Sequence, residues 1–374
     1  MSANLRFAIA SDLHIALPRT IRHLPQRFHL VEFSIPVLEA VLSHLTQLDL
    51  DFLLLPGDLT QDGEPENHSW LRERLRSLPY PVYVVPGNHD VLSLEPTERS
   101  IAAADFPSYY RDCGYGDGQA LYYTCEVAPG VRLVALNSNQ FAPDGRQLGR
   151  IDSEQLEWLR ETLHSKADDC LLVMVHHNAV EHLPGQARHP LGQRYMIDNA
   201  PELLEILHTA GVKLLFTGHL HVQDIVRDRQ LYEITTGSLV SYPHPYRVID
   251  LSCDAAGNLD LQIQSFRVDS LTECPNLGNF SREWIGDRSY PFMRRLVECA
   301  GLPLSTAEIE QITQDLRYFW ADIAAGDALF NFSQFPPSAQ RYFEAFGALD
   351  QGQPALIDNN TTLRIPALTR CVAS

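Results

Sequence analysis

VYVVPGNHDV, residues 82–91, begins as an apolar run and ends in a turn that sets Asn88, His89 and Asp90 side by side. The run reads as a short buried strand. One polar turn after a strand is ordinary loop chemistry, but here the pattern recurs. LRFAIA (5–10) is followed by Ser11-Asp12-Leu13-His14, and DFLLLP (51–56) by Gly57-Asp58. CLLVMV (170–175) is followed by His176-His177-Asn178, and VKLLFT (212–217) by Gly218-His219-Leu220-His221. Five apolar runs thus end in Asp, Asn or His. In open α/β sheets ligands bind outside the carboxyl ends of the strands, so these side chains are expected to converge.

The segments between the runs have helical spacing. Residues 35–48 place apolar positions on one helical face, and residues 152–163 open with Asp152-Ser153-Glu154, a helix N-terminus signature. Residues 201–210 begin with Pro201 and stop before Gly211. Strands alternating with helices imply an α/β fold with layered sheets and helices over residues 1–268. Residues 269–374 read differently. Ser305 and Glu308 form a capping box, after which Ile309, Ile312, Leu316, Phe319 and Ile323 share one face. A further helix is expected from about Pro337, and 348–374 is polar and turn-rich. This region reads as a helical appendage with a loose tail, serving as a dimer contact or as a cap near the cleft.

Residue types select the chemistry at the strand ends. Asp, Asn and His give mixed oxygen and nitrogen ligation without thiolate, which suits Mn, Fe, Zn or Co better than Ca or Mg alone. Asp12-x-His14 and His219-x-His221 each put two side chains on one face of an extended segment. Seven such groups exceed the needs of one ion and suit two. A pair of ions about 3.5–4 Å apart clamps a phosphoryl group.

The ordered set DLH, GD, GNHD, a strand-end HH and GHLH resembles the calcineurin-like metallophosphoesterase superfamily over about residues 5–250. The compact DLH start and the GHLH ending are most similar to its bacterial cyclic-nucleotide phosphodiesterase and glycerophosphodiesterase branch. The segment 235–251 also resembles the strand of that branch after the last motif. The branch usually continues its histidine pair with prolines, whereas Asn178-Ala179 follow here. The resemblance implies a four-layer β-sandwich flanked by helices, with a dinuclear centre at the sheet edge. It implies that Asp12, His14 and His221 hold the first metal, that Asp58 bridges, and that Asn88, His176 and His219 hold the second. It further implies that His89 contacts the phosphate and protonates the leaving oxygen, with Asp90 catalytic from behind it by orienting or polarising that region, while a hydroxide bridging the ions attacks in line.

The expected reaction is hydrolysis of a small phosphodiester, first a cyclic nucleotide such as 3',5'-cAMP. The alternatives are a phosphomonoesterase or nucleotide hydrolase at the same site, or a metal-binding scaffold without catalysis. Asn88, His89 and Arg194 are candidates for substrate contact. So are Arg19, Arg22 and Arg27, and Arg188, His189 and Tyr195 in the loop 179–197. His23, His29, His44, His68, His164, His182 and His208 read as ordinary surface or core histidines, and His177 as buried beside a ligand. A net charge of -18 opposes general binding to nucleic acid or anionic membrane. Seven scattered cysteines without CxxC fit reduced thiols, with Cys113–Cys125 the one pairing worth weighing. The N-terminus lacks the pattern of a signal peptide, so the cytoplasm is the expected location.

Overall fold

The computed structural model describes residues 3–22, 24, 27–166, 170–350 and 352–367; His23 and Cys371 lie outside them. In chain order, β1 (Ala3–Ile9), α1 (Ser34–Leu45), β2 (Phe52–Leu55), α2 (Pro65–Arg76) and β3 (Val82–Val84) come first. Next are α3 (Phe106–Tyr109), β4 (Tyr123–Ala128), β5 (Val131–Ala135), the hairpin β6 (Asn139–Phe141) and β7 (Gln147–Gly149), and α4 (Ser153–Ser165). β8 (Cys170–Met174), α5 (Ala200–Thr209), β9 (Leu214–Thr217), β10 (Asp224–Asp228) and β11 (Leu231–Thr235) follow. β12 (Pro245–Cys253) and β13 (Leu259–Arg267) precede α6 (Leu277–Cys299), α7 (Thr306–Asp315), α8 (Phe319–Ala325) and α9 (Pro337–Glu344). Last come the small hairpin β14 (Leu349–Asp350) and β15 (Gln353–Pro354), and then β16 (Thr361–Ile365).

Two six-stranded sheets, ordered β16-β13-β12-β1-β2-β3 and β10-β11-β9-β8-β5-β4, face one another. Their centres are parallel, β1 with β2 and β3 in one, β5, β8, β9 and β11 in the other. Parallel strands covered on both faces must be apolar on both faces, which explains the unbroken apolar runs. Along β8, Leu172 and Met174 enter the core between the sheets. Leu171 and Val173 turn to the outer layer with Leu159 of α4 and Leu203 of α5. α1 covers the first sheet through Val37, Leu38 and Val41. The result is the expected helix–sheet–sheet–helix order. The Asp152 side chain caps α4, accepting from the Gln155 amide at 2.8 Å. No described helix is long and apolar enough to cross a membrane. Cys113 and Cys125 are not joined in a disulfide.

The helices after residue 276 share an apolar cluster of their own, in which Met293, Leu296, Phe319 and Phe343 close against Leu191, Leu220 and Val222. The face running from Ile309 to Ile323 is interrupted between α7 and α8. The Arg317 carbonyl freed there is satisfied by the Ser289 hydroxyl at 2.8 Å.

The loose tail is corrected in one respect. Thr361–Ile365 forms β16 and pairs antiparallel with β13, from Leu259–Ile365 to Ile263–Thr361. Leu363 and Ile365 are buried; two apolar residues in alternation give too weak a signal to stand out in a polar stretch. A fully buried arginine ties this return to both sheets. Arg247 donates to the Ser265 hydroxyl at 3.1 Å, the Asp358 carbonyl at 2.5 Å and the Thr235 carbonyl at 2.9 Å. Burial lowers its pKa to about 10, and that cost is offset by these bonds. Arg247→Ala leaves buried carbonyls without donors and opens a cavity. It is expected to destabilise the fold by about 3 kcal/mol, read as a lower urea midpoint; a loss under about 1 kcal/mol would contradict this bridging role.

Candidate metal centre

The loops that leave β1, β2, β3, β8 and β9 at their carboxyl ends meet at one edge of the sandwich. They carry every residue singled out at the five strand ends. Asp12, His14, Asp58, His219 and His221 all have left-handed backbone, with φ between 42° and 65°. Such conformations are uncommon for residues with a side chain and are held only where the surroundings impose them. The close approach of the loops also requires glycine. A Cβ on Gly87 would stand 2.1 Å from the Asp58 nitrogen and 2.2 Å from its Oδ1. On Gly218 it would meet the Ser11 hydroxyl at 2.1 Å and Asp12 Oδ2 at 2.5 Å. The glycines of GNHD and GHLH therefore act through space.

Two donor groups overlap at Asp58, with Asp12, His14, Asp58 and His221 in one and Asp58, His176 and His219 in the other, each within 4.8 Å. Asn88 joins the second, its Oδ1 3.2 Å from His176 Nε2. Asp58 belongs to both, with Oδ2 3.3 Å from His176 Nε2 and 3.6 Å from His14 Nε2. Asp12 Oδ1 lies 3.1 Å from His221 Nε2, and its carboxylate also accepts the His219 amide.

The fit to cations is visible in the protonation states. His14 is wholly buried, yet neither of its ring nitrogens has a hydrogen-bond partner, an arrangement a ligated imidazole resolves. Burial, with His29 and His89 beside it, holds His14 well below the usual histidine range. Burial and His176 bring His219 down to about 3. Both are therefore neutral, the form that ligates. Burial opposes charge on Asp58, but His176, His89 and His14 outweigh it and keep the carboxyl well below its usual value. For His176, burial is in turn outweighed by Asp58, and its pKa rises to about 9; this proton stands where a cation would, and ligation would displace it.

His89 hangs from the same carboxylate, its backbone N–H donating to Asp58 Oδ1 at 2.8 Å. Its Nδ1 lies 2.7 Å from the Gln61 carbonyl. A carbonyl only accepts, so Nδ1 carries a proton and Nε2 is left for the cavity. Asp90 stands beside His89 in the chain but behind the turn. It is fully buried and does not line the cavity. Its carboxylate accepts the amides of Leu59, Thr60 and Gly87 and the Thr60 hydroxyl. Burial and then Asp58 push its carboxyl up to about 7, against these four donors. Asp90 thus locks the GNHD turn to the GD loop rather than touching a substrate.

A cavity of about 710 Å³ opens above the cluster, lined by Asp58, Asn88, His89, His219 and His221. Arg194 and Tyr195 also line it, whereas Arg188 does not, and His189 lines a separate small cavity. Arg19 and Arg27 pair instead with Glu66 and Glu32, and neither reaches the cavity. Arg146, on the β6–β7 hairpin, lines it although nothing in the sequence around it pointed there.

His29 also departs from its ordinary reading. It lines the cavity and lies with His14 and His221 in a third donor group, its ring 4.1 Å from that of His14. No spacing signalled it, because it sits in the irregular loop before α1. His68 fits the ordinary reading, bonded to the Tyr110 hydroxyl at 2.8 Å. His177 is buried on the Ser138 hydroxyl at 2.7 Å. The Gly87 contacts make a direct test. Gly87→Ala is expected to retain its far-UV dichroism while losing at least half of its bound Mn²⁺ by elemental analysis. Full metal content in the variant would show that the approach to Asp58 does not set the site.

A family model described as calcineurin-like phosphoesterase matches residues 5–223. A probable cyclic nucleotide phosphodiesterase of Synechococcus is 31% identical over 229 residues, covering 61% of this chain and 77% of the relative. A probable glycerophosphodiester phosphodiesterase of Arcobacter nitrofigilis is 25% identical over 248 residues, covering 65% and 81%. A 3',5'-cyclic adenosine monophosphate phosphodiesterase of Pseudomonas aeruginosa is 28% identical over 185 residues, covering 48% and 57%. Among solved structures, a dimetal phosphatase of Danio rerio covers 70% of this chain and 95% of its own, with a TM-score of 0.51 at 15% identity, a likeness of fold alone. With its strand-end cluster and a family match over more than half its length, the chain belongs to the calcineurin-like phosphoesterases, which makes it a metal-dependent phosphoric ester hydrolase.

Proposed function

We propose that this protein hydrolyses a small phosphodiester, with a cyclic nucleotide such as 3',5'-cAMP as the first candidate. The observation that carries the reading is the pair of donor groups sharing Asp58, with His89 fixed to the same carboxylate. The names of the relatives from Synechococcus and Pseudomonas aeruginosa support the substrate class. In this reading Asp12, His14 and His221 would hold one ion and Asn88, His176 and His219 the other, with Asp58 available to both. Two divalent ions of the Mn, Fe, Zn or Co kind neutralise phosphoryl charge and lower the pKa of a water.

The side chains of the protein do the rest. The Gln61 carbonyl accepts Nδ1–H and fixes the His89 ring so that Nε2 faces the ester. In the imidazolium form, with a second proton on Nε2, His89 gives that proton to the departing oxygen and is left as the neutral Nδ1–H tautomer. Asp90 acts through the backbone, holding the turn that aims His89. Arg194 supplies positive charge at the rim. Its guanidinium stacks 4.6 Å from the Tyr195 ring, and its carbonyl faces His219 Nε2 at 3.1 Å, which ties the substrate loop to the ligand set. Asn88 contributes from the floor, its own carbonyl held by Gln147 at 2.6 Å.

With Mn²⁺, the protein is expected to cleave bis(p-nitrophenyl) phosphate faster than p-nitrophenyl phosphate. The reverse preference would replace the diester reading with a monoesterase. His89→Ala is expected to lower kcat by about 10²–10⁴-fold on an alkyl diester, and by less on the nitrophenyl ester, whose oxyanion leaves readily. An equal loss on both esters would deny His89 the role of acid.

A further inference from the structure

The cavity above the cluster has a wall that the chemistry at phosphorus does not need. Phe292 of α6 and Trp320 of α8 line the same space as Asp58, His89 and His221. The two rings meet edge to face, with centroids 5.3 Å apart. Both are half-buried and pack at the margin of the C-terminal cluster, whose centre is made by Met293, Leu296, Phe319 and Phe343. The appendage therefore has a core without them. A strip of rings joins this wall to the metal centre. Tyr195 lies 5.1 Å from His219 on one side and shares a small apolar recess with Phe292 and Trp320 on the other.

We propose that Phe292, Trp320 and Tyr195 form the subsite for a planar aromatic substituent of the phosphodiester, so that the C-terminal helices select nucleoside or aryl esters over glycerol esters. The proposal rests on the phosphodiesterase reading and adds which half of the substrate is recognised, and by what. Three physical points favour it. A cavity of about 710 Å³ is of the size that encloses a whole small ligand rather than a phosphate group alone. An indole and a phenyl edge exposed within a cavity are poorly solvated by confined water, and they gain from a flat apolar partner. A glycerol moiety offers hydroxyls, which such a wall cannot satisfy. The charged groups at the rim, Arg146 and Arg194, complement the phosphate and not the planar group.

The test is a comparison of kcat/KM for 3',5'-cAMP and for glycerophosphoethanolamine, in the full-length Mn²⁺-loaded protein and in Trp320→Ala, Phe292→Ala and Trp320→Phe. The parent is expected to prefer the nucleotide. In each alanine variant that preference is expected to fall about tenfold, chiefly through KM of the nucleotide, and Trp320→Phe should recover most of it. A second readout is independent of turnover: the affinity for AMP, followed by isothermal titration, should fall in step. Unchanged preference and AMP affinity in alanine variants that melt near the parent temperature would overturn the subsite. Should the alanine variants fail to fold, Trp320→Leu and Phe292→Leu replace them: loss of preference in either supports the subsite, and full preference in both overturns it. If the parent cleaves no diester at all, the functional reading falls first. If it cleaves both esters but prefers the glycerol ester, only the subsite falls.

Discussion

A single buried carboxylate organises this molecule. Asp58 has almost no contact with solvent, yet it stays ionised because His176, His89 and His14 surround it. A carboxylate taken out of water is tolerated only where charge and hydrogen bonds replace what it lost. The His89 amide gives it one bond at 2.8 Å, and His176 stands 3.3 Å from its other oxygen. The remaining demand is for positive charge, which two cations sharing the group would supply in the proposed reading. The left-handed turns and the bare glycines around it follow from the same crowding. Five loops from two sheets must reach one point within a few ångströms, and side chains on Gly87 or Gly218 would keep them apart.

That crowding also explains what the sequence could reveal. The strand runs were legible because parallel strands buried on both faces leave long apolar stretches, as along Leu171–Met174. The candidate ligand residues were legible because each closes such a run. The caps at Asp152 and Ser305 were legible because capping is local chemistry. Other features depend on placement across the fold and leave no local mark. His29 comes from an irregular loop with no periodicity, yet its ring lies beside His14. Arg146 reaches the cavity from a hairpin tip. Arg19 and Arg27 look like anion contacts in a basic stretch, and only the positions of Glu66 and Glu32 show them engaged elsewhere. Asp90 stands beside His89 in the chain but points into the backbone of another loop, a difference of direction that a motif does not encode.

The C-terminal region shows the same division. Its helices announce themselves by a capping box and an apolar face, but their orientation does not. Leu220 and Val222, flanking His221, join the C-terminal cluster and bring α6 and α8 to the mouth of the cavity. β16 then returns the chain to the first sheet, where Arg247 bonds it to both layers. The appendage is thereby built into the frame that holds the metal site, rather than hung from its end.

The proposed function turns on Asp58 being shared by two cations. Anomalous diffraction from Mn²⁺-soaked crystals, collected at the manganese edge, tests this most directly. Two peaks per chain are expected, about 3.5–4 Å apart, one beside His14 and His221 and the other beside His176 and His219, with Asp58 in contact with both. A single peak, or two peaks of which only one touches Asp58, would contradict it.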